Sequence, residues 1–417
     1  MEAVKEVEQF GLPWDRKSNI IKVIGVGGGG SNAVSYMYSQ EIKNVDFAIC
    51  NTDMQALEMS PVPTKLQLGE IITKGLGAGT DPVKGKKAAK ESIDSINKIL
   101  GDNTEMVFIT CGMGGGTGTG AAPVIAEAAK KREMLTVGVV TIPFRDEGPE
   151  ALYRAVEGIK EFDKFVDSLL IIDNQKLYEI FGDLDLFEAF PKADEVLATA
   201  VKSIAEIITC RGYINVDFAD VRMVMKNSGM SIMGTGVASG PDRAIQAVEK
   251  AFSSPLLNEC DLHTAKSVLV NITSSSESGK TIKTFELSQI MDYIKEYTGP
   301  TGNFKRGVVK NDALGENISV TIVATGFEMA QLPVISEDMI HHHNKIEVKY
   351  DKKYSESKKR GLPLCPERQS QIVAKSIITG KPALITDNPR TIKELKSEPA
   401  ITRRERMFKE QQQEKEE

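Results

Sequence analysis

The sequence predicts an α/β fold with a mostly parallel sheet, followed by a second α/β region and a polar tail. Three observations carry this. Short apolar runs alternate with helical patterns from Asn19 onward. One long helical pattern, Asp185 to Thr209, stands between two regions of strand character. Beyond about Glu337 the periodicity dissolves into Lys, Pro and Ser, a composition that buries too little apolar surface to offset ordering the chain.

Taken in order, residues 1–17 are polar and read as a loose arm. Ile20 to Gly27 (IIKVIGVG) reads as a buried strand, Ser31 to Gln40 as its helix, and Val45 to Asp53 as a second strand. Met106-Val107-Phe108-Ile109 is a third apolar run, entering a glycine loop and then a helix from Ala121. Met134 to Pro143 is another strand. In the long helix Leu186, Phe190, Ala193, Leu197, Val201, Ile204 and Ile208 recur at steps of three and four, and Pro191 places the start nearby. A helix at Pro241 to Phe252, a strand at Lys266 to Ser275, a helix at Glu286 to Tyr297 and strands at Arg306 to Asp312 and Ser319 to Phe327 complete the pattern.

At 417 residues the chain suggests two domains and a tail. Residues 1–330 hold 34 basic and 44 acidic side chains, a net −10, whereas residues 331–417 hold 18 and 14, a net +4. An acidic body argues against nucleic-acid binding. Cys50, Cys111, Cys210, Cys260 and Cys365 are scattered and form no C-x-x-C pair, so neither disulfides nor structural zinc is expected. No apolar run approaches the roughly 18 residues of a membrane span, and the acidic start is unlike a signal peptide. A soluble cytoplasmic protein without direct membrane insertion is expected. His341 to His343 sit in the polar tail and are not expected to bind metal.

Three glycine-rich loops are the main chemical signal. Gly25-x-Gly27-x-x-Gly30 follows a strand and precedes a helix, with Asp53 at the end of the next strand, which alone fits a dinucleotide fingerprint. A nicotinamide-dependent oxidoreductase is the reading from that loop by itself. Cys111 to Ala122 (CGMGGGTGTGAA) adds a second, richer loop, and Gly75 to Pro82 (GLGAGTDP) a third. Bare glycine lets main-chain N–H groups approach an anion, and the helix start behind it adds a positive dipole end. The second loop holds no lysine and so is not a Walker A loop, whose GK[ST] ending supplies one, so phosphate there is to be held mostly by backbone and threonine hydroxyls. Loops closing on a charged group from several sides suit a triphosphate with magnesium. Asn215 to Val221 (NVDFADV) offers Asp217 and Asp220 three apart, spacing that suits either a helix N-cap or the positioning of a water. It lies at the far end of a helix on the order of 30 Å long, out of reach of the glycine loops.

GGGTGTG at Gly114 to Gly120, together with GVGGGGSNAV, the Asn51-Thr52-Asp53 triplet, the Gly77-Ala78-Gly79 loop and NVDFADV, closely resembles the FtsZ family, the bacterial tubulin-like cell-division GTPases. The resemblance spans residues 19 to about 328, with a weaker match near the C-terminal end. It implies a tubulin-like fold: a GTP-binding domain at 19–185, a central helix at 186–212, a GTPase-activating domain at 213–330, a disordered linker at 331–396 and a partner-binding peptide at 397–417, after an arm at 1–18. It also implies GTP and GDP as ligands, with Mg2+ held through phosphates and water, and a head-to-tail homopolymer at the mid-cell division site. Gly28, Gly29, Gly30, Ser31 and Asn32 are then to face the phosphates from the first loop, Gly116, Thr117 and Gly118 from the second, and Ala78 and Gly79 near the γ-phosphate. Glu147 matches the ribose contact, Asn174 another nucleoside contact, and Phe190 and Asp194 the residues that stack on guanine and accept from it. Asp217 and Asp220, supported by Asn215, would act on the neighbouring subunit's nucleotide. Pro399, Ala400, Ile401, Arg403 and Arg404 correspond loosely to the tail motif that docks on membrane-tethering and regulatory division proteins. The alternative within the fold is a filament for plasmid or phage DNA positioning. Two departures stand out: Ala151 occupies the family's arginine position, with Arg154 one turn later, and Asp81 replaces the usual asparagine of the third loop.

Overall fold

The computed structural model describes residues 19–175, 186–209, 212–254, 262–299 and 302–327, with two short strands at 372–375 and 382–385. The predicted arm, most of the linker and the C-terminal peptide therefore lie outside the described residues.

The first half alternates strand and helix as the apolar runs require. Its elements are β1 (Ile21–Val26), α1 (Gly27–Ser39), β2 (Asp46–Asn51), α2 (Met54–Met59), β3 (Thr64–Gln67), α3 (Glu70–Thr73), α4 (Pro82–Glu91) and α5 (Ile93–Leu100). There follow β4 (Met106–Gly112), α6 (Thr117–Lys131), β5 (Leu135–Ile142), α7 (Pro149–Asp163) and β6 (Ser168–Asp173). The long helix is α8 (Leu186–Thr209), so Pro191 lies inside it. The second half holds β7 (Gly212–Ile214), α9 (Phe218–Met225), β8 (Gly229–Ala238), α10 (Arg243–Phe252), β9 (Ser267–Ser274), α11 (Thr284–Thr298), β10 (Asn303–Lys310) and β11 (Ile318–Phe327).

These eleven strands join one sheet in the order β3-β2-β1-β4-β5-β6-β8-β11-β9-β10-β7. From β3 to β6 every pairing is parallel, in the 3-2-1-4-5-6 order of nucleotide-binding sheets. The central strands are buried along nearly their full length, which is why they read as continuous apolar runs and not as alternating ones. The expected second region is continuous with the first: β6 pairs with β8 in parallel through Ser168↔Gly229 to Leu170↔Ser231. Beyond β8 the order turns mixed, with β11 antiparallel to both β8 and β9. Two apolar cores form. One includes Ile109, Ile125, Ile159 and Phe162 and extends to Val248 and Ile322. The other gathers Val34, Met37, Phe108, Val201 and Ile204. Arg243, buried beneath the second half, ion-pairs with buried Glu286 at 2.8 Å and donates to the carbonyls of Lys280, Thr281 and Glu316.

Within the expected disordered linker, Ile372–Lys375 and Pro382–Ile385 (β12 and β13) pair as antiparallel strands. Ile372, Val373 and Ile385 favour strand conformation, and six residues join the two runs.

Candidate active site at the carboxyl edge of the sheet

The parallel half of the sheet reverses direction of growth between β1 and β4, and the first two glycine loops leave the carboxyl ends of those two strands. This is the switch point at which open α/β sheets bind ligands. A cavity of about 670 Å³ opens there. Every parallel strand around it sends residues in: Gly28, Gly29 and Asn32 after β1, Thr52 and Asp53 after β2, Gly115 to Gly118 after β4, Phe144 and Glu147 after β5, and Asn174 after β6. Ala78 and Gly79 close it from the third loop, and Asp194 and Leu197 from α8.

The second and third loops are tied to each other and to the end of β2. Thr52 Oγ1 lies 2.6 Å from Thr117 Oγ1, linking the β2 and β4 ends. The Gly116 N–H donates to the Gly79 carbonyl at 3.1 Å, and the Gly77 N–H to the Thr52 carbonyl at 3.2 Å. Gly116 has to be glycine, because a Cβ there would overlap the Gly79 carbonyl oxygen and crowd the Asp81 backbone. Gly30 has a packing reason as well: a Cβ would run into the Thr110 carbonyl beneath it. Gly30 and Ser31 thus stand apart from the cavity-lining residues. Ser31 is buried, and its hydroxyl has no hydrogen-bond partner.

Helix α1 is already under way at Gly27, not at Ser31, so the glycines form its first turn and turn its N–H groups to the cavity mouth. Glu147 lines the cavity while its Oε1 accepts from the Phe144 N–H at 3.0 Å, which fixes its turn. The side-chain oxygen of Asn174 is buried without a partner at the cavity wall, an acceptor waiting for a donor. Burial pushes the Asp194 carboxyl up to about 6. The side chain of Phe190 lies outside the described residues.

Both sequence departures acquire a geometry. Asp81 caps α4, accepting from the Val83 N–H at 2.8 Å with Pro82 in the first turn, so its charge faces a helix N-terminus. Arg154 donates from Nε to the Gly114 carbonyl at 2.8 Å, and Ala151 is buried with its carbonyl near Gly114. Arg154 braces the second loop from behind and is not among the cavity-lining residues.

The acidic loop is elsewhere. Asp217 caps α9, its Oδ1 accepting from the Asp220 N–H at 2.7 Å. Asn215 Oδ1 accepts from the Gly212 N–H at 2.7 Å and folds the loop onto β7. Asp220 Oδ1 lies 2.6 Å from Lys305 Nζ on β10. From Asp194 at the cavity to Thr209, α8 alone spans about 22 Å at 1.5 Å per residue. Thr52 enters the sequence reading only within the Asn51-Thr52-Asp53 triplet, and Lys305 does not enter it at all. Thr52 carries a legible signal, since it ends a parallel strand next to the glycine loops; Lys305 carries none, because only sheet pairing brings β10 beside α9.

Residues 20–182 match the model of the Tubulin/FtsZ family GTPase domain, and residues 229–328 that of the FtsZ family C-terminal domain. The chain belongs to the Tubulin/FtsZ family. It is 49% identical over 312 residues to the cell division protein FtsZ of Porphyromonas gingivalis, covering 74% of this chain and 67% of that one. Against the cell division protein FtsZ of Azotobacter vinelandii it is 50% identical over 311 residues, covering 74% and 78%. An empty FtsZ dimer from M. jannaschii superposes with a TM-score of 0.69 at 38% identity, over 75% of this chain and 89% of that one. CetZ2 of Haloferax volcanii, solved as a GTPγS-bound protofilament, shares the fold at TM-score 0.65 and 21% identity, over 77% of this chain and 96% of that one. The strand-end residues that line the cavity, Gly28 to Asn174, fall within the matched GTPase domain, and the dinucleotide reading of the first loop falls away: its glycines have the same strand-to-helix anion geometry, shared here with two further loops.

Proposed function

We propose that this chain is a GTP-dependent cell-division GTPase that polymerises head to tail and hydrolyses GTP between subunits. One observation carries the mechanism: the glycine cradle and the acidic loop lie at opposite ends of α8, so a subunit's own Asp217 and Asp220 do not reach its own nucleotide. A neighbour stacked along that axis supplies them. Such a contact does not close on itself and yields a filament. A homopolymer is supported by the dimer of the M. jannaschii relative.

Within the cradle the first-loop and second-loop N–H groups and the Thr117 hydroxyl hold phosphate, Ala78 and Gly79 meet the γ-phosphate, and Glu147 takes the ribose. Asp194, its carboxylate half-desolvated, accepts from guanine N1–H and amino group, and the unpartnered Asn174 oxygen takes a further donor. Asp217 and Asp220 orient and polarise the attacking water, and Asn215 shapes their loop. Magnesium fits this donor set as a hard cation carried on the phosphates and water beside the Thr52 and Thr117 hydroxyls, where it would neutralise phosphate charge. The chain then acts at the division site from the cytoplasm, with its 397–417 peptide docking on membrane-tethering and regulatory proteins; no described helix is long and apolar enough to cross a membrane. Nothing in the comparisons favours the DNA-positioning alternative.

The test is GTP hydrolysis per subunit against protein concentration, with light scattering on the same samples. Activity that appears with scattering above a threshold supports the shared site. Activity proportional to protein from the lowest concentration overturns it.

A further inference from the structure

We propose that Lys305 is a positioning residue for hydrolysis, clamping one oxygen of Asp220 so that the other is presented to water on the neighbouring subunit's nucleotide. This rests on the acidic-loop reading above. The Lys305 ammonium sits 2.6 Å from Asp220 Oδ1, with both side chains about one third exposed. Asp220 is anchored a second time through its backbone N–H, held by Asp217 Oδ1. The lysine comes from a rigid element: β10 pairs with β9 along its full length, Lys305 opposite Leu269, and with β7 at Val308↔Ile214. A paired sheet strand therefore holds the carboxylate of Asp220, and Asp217 holds its backbone. An aspartate at a helix start otherwise rotates freely between water and the free N–H groups of the first turn. The ion pair removes that freedom, and its strut is a sheet strand, not a loop.

The charged groups facing Asp220 are Asp217 at the head of its own helix and Lys305 from β10. The hydrogen bond to Lys305 is the main cause holding the carboxyl below its ordinary value. A carboxylate so held is a weak base, which suits orienting and polarising a water more than removing its proton. A second consequence is charge compensation. The loop has to approach a triphosphate, and Lys305 offsets one of its two carboxylates as it does so.

The experiment compares Lys305→Met, Lys305→Arg and Asp220→Asn in the full chain. Three readouts are taken: binding of a fluorescent GTP analogue, filament sedimentation with a non-hydrolysable GTP analogue, and the pH profile of GTP turnover under assembled conditions. Lys305→Met is expected to bind and assemble normally, to lose turnover about tenfold, and to show its acidic limb at higher pH. Lys305→Arg, which keeps the cation, is expected within about threefold of wild type. Wild-type turnover with an unmoved acidic limb in Lys305→Met overturns the proposal. So does a loss of assembly with the non-hydrolysable analogue, which would make Lys305 a contact between subunits. Asp220→Asn separates the two layers: if it hydrolyses GTP normally, the acidic-loop reading fails; if it is inactive while Lys305→Met is normal, only the role of Lys305 fails.

Discussion

Asp194→Asn keeps the shape of the side chain and removes the charge that is proposed to read guanine. Asp194 lies about a third of the way along α8, at the cavity wall, in surroundings dry enough to push its carboxyl up to about 6. Hydrogen bonds from neutral donors to a charged acceptor are worth about 1.5–3 kcal/mol each. Guanine offers two, and water still reaches the site, so the lower end applies: a loss of about 3 kcal/mol, or roughly 150-fold in GTP affinity. The new amide can instead donate to the C2 carbonyl of xanthine, so XTP should gain where GTP loses. Competition against a fluorescent nucleotide measures both. The pH dependence supplies an independent check with a defined sign. The folded carboxyl titrates above its unfolded value of 3.8, so its ionised form disfavours the empty fold, and stability from this group rises as pH falls through about 6. GTP requires the ionised form, so affinity should fall up to about tenfold per pH unit below 6 and be level above it. Wild-type GTP affinity in Asp194→Asn, or an affinity that ignores pH between 5 and 7, would refute the reasoning.

Other substitutions probe the remaining parts. Asp220→Ala should leave nucleotide binding intact while abolishing turnover; lost binding, measured by the same competition, would sink the intersubunit site. Gly116→Ala places a methyl on the Gly79 carbonyl and should weaken GTP binding by more than about tenfold, since the third loop must move. By contrast, Asp81→Asn preserves the cap of α4 and should change affinity by less than about twofold; a large gain would mean that the aspartate charge does face the γ-phosphate. Arg243→Met strands the buried Glu286 carboxylate, at a cost of about 3–5 kcal/mol, and should lower the melting temperature by roughly 10 °C; a shift below about 3 °C would show that the pair contributes little.

The sequence by itself determined the α/β class, the strands that end in glycine loops, and the central helix. Buried parallel strands and bare loops are local signals: one needs unbroken apolar runs, the other needs residues with no side chain in the way. The motif resemblance placed Asn32, Ala78, Gly116, Glu147 and Asp194 in one site, and the fold gathers them at one cavity. The strand Gly229–Ala238 was not legible, because GMSIMGTGVA is half glycine and small residues; it is a strand only since β6 and β11 flank it. Nor did the sequence distinguish Gly30 as a packing glycine from its neighbours at the cavity mouth, for all have the same local cause. The capping of α4 by Asp81 is a local contact spanning two residues, whereas tertiary structure alone decided that Arg154 braces the second loop and that Lys305 meets Asp220. Each of these last two pairs residues 40 or more positions apart, and such charges are brought together by the register of strands and the packing of helices, which no local pattern encodes.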